Sequence, residues 1–170
     1  MAPAVTDRPL MAGYGVPDDL DGVLPWEWAR QRLGGSRCYW VSTADAAGRP
    51  HSMPVWGVWL DEPDAFWFSC APTARKARNL QVNAATTVTT EDPTRLVSLE
   101  GVATRLSAGG DLDRGSAAFW EKYGAEMDRP ETEVMEFLGR SAAFAVTPER
   151  AFGLIETPED FGPRATRWRW

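Results

Sequence analysis

At 170 residues, 44% hydrophobic, 25% charged and 11% aromatic, the chain has the length and composition of one globular domain with a sizeable core. A disordered chain, a collagen-like repeat and a stapled mini-protein are excluded, and no apolar run approaches the roughly 20 residues of a membrane helix. With 24 acidic against 18 basic residues, a net charge of −6 and a pI near 4.9, it lacks the field that gathers nucleic acid. Only Lys76 and Lys122 are lysines, and there are nine tryptophans. Cys38 and Cys70 each lie in an apolar stretch without a metal-ligand spacing, which reads as two reduced thiols. The first 20 residues have no basic n-region followed by an apolar core, and the expected compartment is the cytoplasm.

Residues 1–22, rich in Pro, Gly and Asp, read as a flexible or surface-draped lead-in to a single domain over 23–170. Leu24 to Leu33 predicts a helix with Pro25 in its first turn and Gly34-Gly35 as its stop. Arg37–Thr43, His51–Leu60 and Ala65–Cys70 then read as strands of an antiparallel meander. Pro54 within the second of these predicts an edge, a bulge or a functional kink. Thr73 is placed to cap a helix running to Asn83. Strands follow at Ala85–Thr90 and Leu96–Leu106, helices at Leu112–Tyr123 and Glu131–Leu138. Three strands end the chain, at Ala142–Thr147, Ala151–Ile155 and Ala165–Trp170. The class is α+β, mainly β.

Three segments carry candidate chemistry. Ser69–Leu80 (SCAPTARKARNL) gathers Ser69, Thr73, Arg75, Lys76, Arg78 and Asn79 around a strand end and a helix start. Backbone N–H groups, hydroxyls and cations in that arrangement suit a phosphate or a carboxylate, although a solvated basic helix face has the same pattern. In Met53-Pro54-Val55-Trp56 the proline frees backbone groups that can meet a planar heteroaromatic ring, or it marks a plain edge strand. In the tail, Arg167 and Arg169 share one face of a strand, Trp168 and Trp170 the other. That ribbon suits a ligand, a partner subunit or barrel closure. His51, the only histidine, has no convergent nucleophile or carboxylate, and neither a catalytic triad nor a metal site is expected.

Taken in order, LPWEWARQRL, YWVSTADAAGRPHSMPVWGVW, AFWFSCAPTARKARNLQVN, VSLEGVATRL and ATRWRW resemble the pyridoxamine-5′-phosphate-oxidase-like family of flavin- and deazaflavin-binding split β-barrels. The resemblance spans Leu24 to Trp170. It implies a six-stranded antiparallel split barrel with flanking helices, a homodimer, and cofactor sites in the interface. Arg75 and Lys76 would bind the ribityl phosphate with Ser69, Thr73 and Asn79. Met53, Pro54, Val55 and Trp56 would line the ring, and Arg167 and Trp168 would cover it or meet substrate. Coenzyme F-420 is favoured over FMN because the R-K-A-R-N-L segment offers more cation than one phosphate needs; Arg78 and Arg49 would serve the longer tail. No equivalent of the extended C-terminal substrate-phosphate region of true pyridoxamine-phosphate oxidases is found. The implied activity is hydride transfer between the cofactor and a small conjugated organic substrate, with no protein nucleophile. The alternative is a non-catalytic protein that stores or sequesters a flavin, deazaflavin or tetrapyrrole, for which abundant tryptophan is equally suited.

Overall fold

The computed structural model describes residues 2–170. Its strands are β1 (Val5–Asp7), β2 (Tyr39–Ala44), β3 (Pro50–Val55), β4 (Gly57–Leu60), β5 (Ala65–Cys70), β6 (Ala85–Thr90), β7 (Arg95–Leu106), β8 (Ala142–Ile155) and β9 (Thr166–Arg169). The helices are α1 (Trp26–Gly35), α2 (Arg75–Val82), α3 (Gly110–Tyr123), α4 (Glu131–Arg140) and the short α5 (Phe161–Arg164). Among the described residues no helix is long and apolar enough to cross a membrane.

All pairings are antiparallel and run β1-β9-β8-β7-β6-β2-β3, while β5 pairs with both β8 and β4. Taking β3 and β4 as one strand bent at Trp56 gives the six barrel strands. Its first half pairs with β2 and its second with β5, so the covalent chain crosses the seam where no ladder does. Beyond the Gly57–Phe68 pair, β3 and β5 part company. This is the split. Pro54, paired with Trp40 of β2, sits on the free edge, where its missing N–H costs no ladder bond.

Alternation fixes the two faces. Tyr39, Val41, Phe66, Phe68, Val88, Val97, Leu99, Phe144 and Val146 point inward and form the main core with Leu24, Leu33 and Trp168. On the outside of β4 and β5, Val58, Leu60 and Trp67 form a second core with Phe119 and Tyr123 of α3 and Val134 and Leu138 of α4. Gly115 permits that approach: a Cβ there would lie 2.2 Å from the Trp67 ring.

Several expectations are corrected. Ala142–Ile155 is one strand, not two; it carries a bulge where its pairing to β7 slips between Glu100 and Gly101. The bulge absorbs the Pro148 region that reads in sequence as a break. Helix α1 runs through Gly34 and Gly35 and closes with the Ser36 N–H on the Arg32 carbonyl. Thr73 does not cap α2: the N-cap is Ala74 and no side chain bonds there. The lead-in lies along the surface of the sheet, as the second of its two readings has it. β1 pairs with β9, and the Arg8 guanidinium donates to the carbonyls of Asp19, Asp21, Pro163 and Ala165.

Candidate functional site

The split opens beside the N-terminus of α2, and the sequence of that helix is unusual for its position. The first turn of a helix presents free N–H groups and a partial positive charge, so acidic residues belong there. Here the first turn holds Arg75 and Lys76, no acidic residue, and no side-chain cap. Arg78 folds back toward the same end, donating to the Thr73 carbonyl at 2.7 Å. Cations stacked on the positive pole of a helix repel both it and one another. The arrangement becomes favourable once an anion sits among them.

Four other elements frame this mouth. The β2–β3 turn brings Asp45, whose carboxylate binds Arg49 at 3.0 Å and lies 3.9 Å from Arg75. Backbone N–H groups of Arg49 and Ala47, with the Arg49 guanidinium, hold the Asp45 carboxyl below its ordinary range. His51 and Met53 lie on the inward side of β3, in register with Thr43 and Val41. Because β3 is an edge strand, Met53 is nevertheless 44% exposed. Burial first, then the nearby charges of Arg75 and Lys76, push the His51 imidazole below its ordinary pKa and favour the neutral form at neutral pH. At the end of β5, burial raises the Cys70 thiol, while Lys76 and Arg105 act in the opposite sense. Cys70 is a thiol, not a thiolate.

Arg105 was not singled out in the sequence. It reaches the mouth through the sheet, since Arg105 pairs with Phe144 in the β7–β8 ladder and Phe144 with Phe68 in the β8–β5 ladder. Neither Lys76 nor Arg105 has an ion-pair partner among the described residues. In a chain of net charge −6 the mouth is a local excess of positive charge.

The structure divides the other sequence candidates. Asn79 does not face the mouth. It is 4% exposed and donates to the Thr43 hydroxyl at 3.0 Å, fixing α2 against β2. Thr73 and Pro54 are exposed, and Val55 is buried in the core. Trp56 and Ser69 lie together on the outer side of the split, lining a cavity of about 510 Å³ beneath α3 and α4. Arg167 is committed to Asp7 through two hydrogen bonds of 2.7 and 3.0 Å. Trp168 is fully buried against Trp26, with ring centroids 5.4 Å apart, and its indole faces the core, not a ligand. Both belong to β9, which pairs with β8 around Phe152, whereas β5 ends on Ala142. Ten residues of strand, roughly 30 Å, therefore separate them from the mouth of their own chain.

Fold and site together define a split-barrel protein with a cationic mouth at the parting of two strands. The chain belongs to the pyridoxamine 5′-phosphate oxidase family, whose sequence profile matches residues 26–154. Among solved structures it is similar to a conserved hypothetical protein from Mycobacterium tuberculosis, with TM-score 0.71 and 21% identity over 84% of this chain and 92% of that one. HutZ, the heme storage protein from Vibrio cholerae, matches with TM-score 0.56 and 23% identity over 73% and 87% of the two chains. An F420 reductase matches with TM-score 0.56 and 16% identity over 72% and 94%. These likenesses concern the fold. No curated protein sequence matches the chain.

Proposed function

We propose that the chain is an oxidoreductase that binds a phosphorylated flavin-type cofactor, coenzyme F-420 or FMN, at the mouth of the split. One observation carries the reading: an uncapped helix N-terminus loaded with Arg75 and Lys76 where acidic residues would ordinarily stabilise it. The donor set fits a phosphate, because free backbone N–H groups stand at the start of α2 and both Lys76, which has no ion pair among the described residues, and Arg105 lie close enough to act on Cys70 at the end of β5. Bound there, such a cofactor supplies hydride chemistry toward a small conjugated organic substrate.

The chain's own residues bind and orient. Arg75 and Lys76 neutralise the phosphate, with Thr73 flanking it, and Arg78 and Arg49 extend the cationic strip toward a longer anionic tail, which favours F-420; Ser69, on the outer side of the split, lies outside this set. The edge of β3 from Met53 to Trp56 offers unpaired backbone and the Met53 side chain to a planar ring. Asn79 acts through α2 by holding it against Thr43. Activity as a homodimer in the cytoplasm is part of this reading; Trp40, 47% exposed on the outer face opposite Pro54, gives that sheet an apolar contact for a second copy. In such a dimer Arg167 reaches a mouth only across the interface.

Purification with identification of the bound chromophore tests the reading. Absorption near about 420 nm is expected for the deazaflavin and near about 450 nm for FMN, both characteristic of the cofactors themselves. A Soret band would instead support non-catalytic tetrapyrrole storage. One observation favours that second reading: His51, neutral and half-buried at the mouth, would be the residue to hold the iron of such a group. Reduced cofactor that is bound but never oxidised by any acceptor would likewise replace the enzyme by a binding protein.

A further inference from the structure

The split has a second side with the opposite character. Continuing the β4–β5 register by one pair sets Trp56 across from Ser69, at the apex where the strands part. Both border the cavity of about 510 Å³, whose lining includes none of His51, Arg75, Lys76 or Arg105. The volume is that of a small-molecule site.

Its walls are apolar and set in advance. Trp56 lies flat on Tyr123, with ring centroids 5.0 Å apart and planes inclined by 11°. The Tyr123 hydroxyl is tied to backbone on both sides, to the Gly57 carbonyl at 2.8 Å and the Arg37 carbonyl at 2.9 Å. The indole is thus held in one orientation while 36% of the residue stays exposed. Phe137 of α4, 59% exposed, stands at the same cavity. The Arg37 guanidinium also lies over the Trp56 ring, 5.0 Å from its centroid, so the exposed part of the indole and the open Phe137 ring border the hollow, and on an acidic protein they suit a flat apolar occupant.

The rim adds a sign. Glu126, Asp128 and Glu133 line it, with Arg129 as the one cation of the lining. Glu126 is already engaged by Arg37. Asp128 and Glu133 have no ion pair among the described residues, so the rim is net negative. An anionic head is drawn to α2 and repelled here.

We infer that this cavity is the substrate site: it takes a flat, conjugated molecule bearing a basic nitrogen, laid against Trp56 with the nitrogen toward Asp128 and Glu133. The inference rests on the cofactor reading for its place in a reaction, but the binding it asserts does not.

Calorimetric titration of the full chain with two tricyclic probes tests it. Aminoacridine is a flat cation at neutral pH, and anthracenecarboxylate is an anion of similar frame. Aminoacridine is expected to bind once per chain, at least about tenfold tighter than the anion. Trp56→Ala and Phe137→Ser weaken it by about tenfold or more. Asp128→Asn combined with Glu133→Gln, on exposed positions that do not carry the fold, erases the preference between the probes. Lys76→Ala leaves aminoacridine affinity unchanged while weakening FMN, so the two sites fail separately. Equal affinity for the two probes, or a preference that survives the Asp128/Glu133 double change, overturns the inference. So does a Phe137→Ser chain that loses self-association in sedimentation with its probe affinity intact, because a second copy then covers this surface.

Discussion

The Lys122 ammonium lies 2.7 Å from the Tyr39 hydroxyl, which itself donates to the Leu33 carbonyl. The same ammonium donates to the Ser36 carbonyl at 2.6 Å and reaches the Gly57 carbonyl at 3.4 Å. One side chain of α3 thereby ties the end of α1, the start of β2 and the bend between β3 and β4. It has no ion-pair partner among the described residues, and burial brings its pKa down to about 8.

A lysine that titrates near 8 in the fold and at its ordinary 10.5 in the unfolded chain leaves the unfolded state with more protons between those values. Stability then rises with pH across that window. The comparison belongs below pH 10, where Tyr39 and Tyr123, both pushed upward by burial, begin to favour unfolding. Urea midpoints between pH 7.5 and 10 should rise in the wild-type chain relative to Lys122→Met. After allowance for partial solvent access the expected difference is on the order of 1–2 kcal/mol.

Gly115→Ala drives a methyl group into the Trp67 ring, which is fully buried and has no room to withdraw. The expected cost is about 1–3 kcal/mol. Chemical denaturation measures it, and a neutral result would mean that α3 is free to lift from β5.

Asp7 holds Arg167 and Arg169 together, and the hydrogen bond from Arg167 is the largest cause of its lowered pKa. A depressed carboxylate stabilises above its ordinary value of 3.8 and loses that contribution as pH falls through the folded value. With both partners partly exposed, Asp7→Asn is expected to cost only about 0.3–1 kcal/mol globally. Its larger effect is local. Limited proteolysis should cut ahead of Pro9 much faster in the variant, as β1 peels from β9.

Asn79→Ala separates support from binding. The residue is buried and its amide bonds Thr43, whose hydroxyl also reaches the His51 carbonyl at 3.4 Å. About 1–3 kcal/mol of stability should be lost. The preference for FMN over riboflavin should be unchanged, which would not hold if Asn79 touched the phosphate.

Much of this was legible because it is local. The aromatic and β-branched composition of Ala65–Cys70 and Ala85–Thr90 between turn signals gives both strands with their observed bounds, and the cation run of α2 is visible as written. What escaped depends on distant pairing. Arg105 belongs to the mouth only because two ladders carry it to the end of β5. Asn79 reads as part of a polar run, but helical geometry turns it toward Thr43. Trp168 and Arg167 fall on opposite faces of β9 as alternation requires; that the indole face is the core follows from the pairing with β8, which no local pattern reveals. β1 is three residues of unremarkable sequence made into a strand by the edge of β9.

The central claim is that α2 holds a phosphate, and equilibrium titration of FMN against riboflavin tests it most directly, on the wild-type chain and on Lys76→Ala. The wild type should prefer FMN by about tenfold or more, with an affinity that falls as salt rises. Lys76→Ala should lose most of that preference while keeping its unfolding midpoint. Equal binding of FMN and riboflavin by the wild type, or a preference that survives removal of Lys76, would contradict the account.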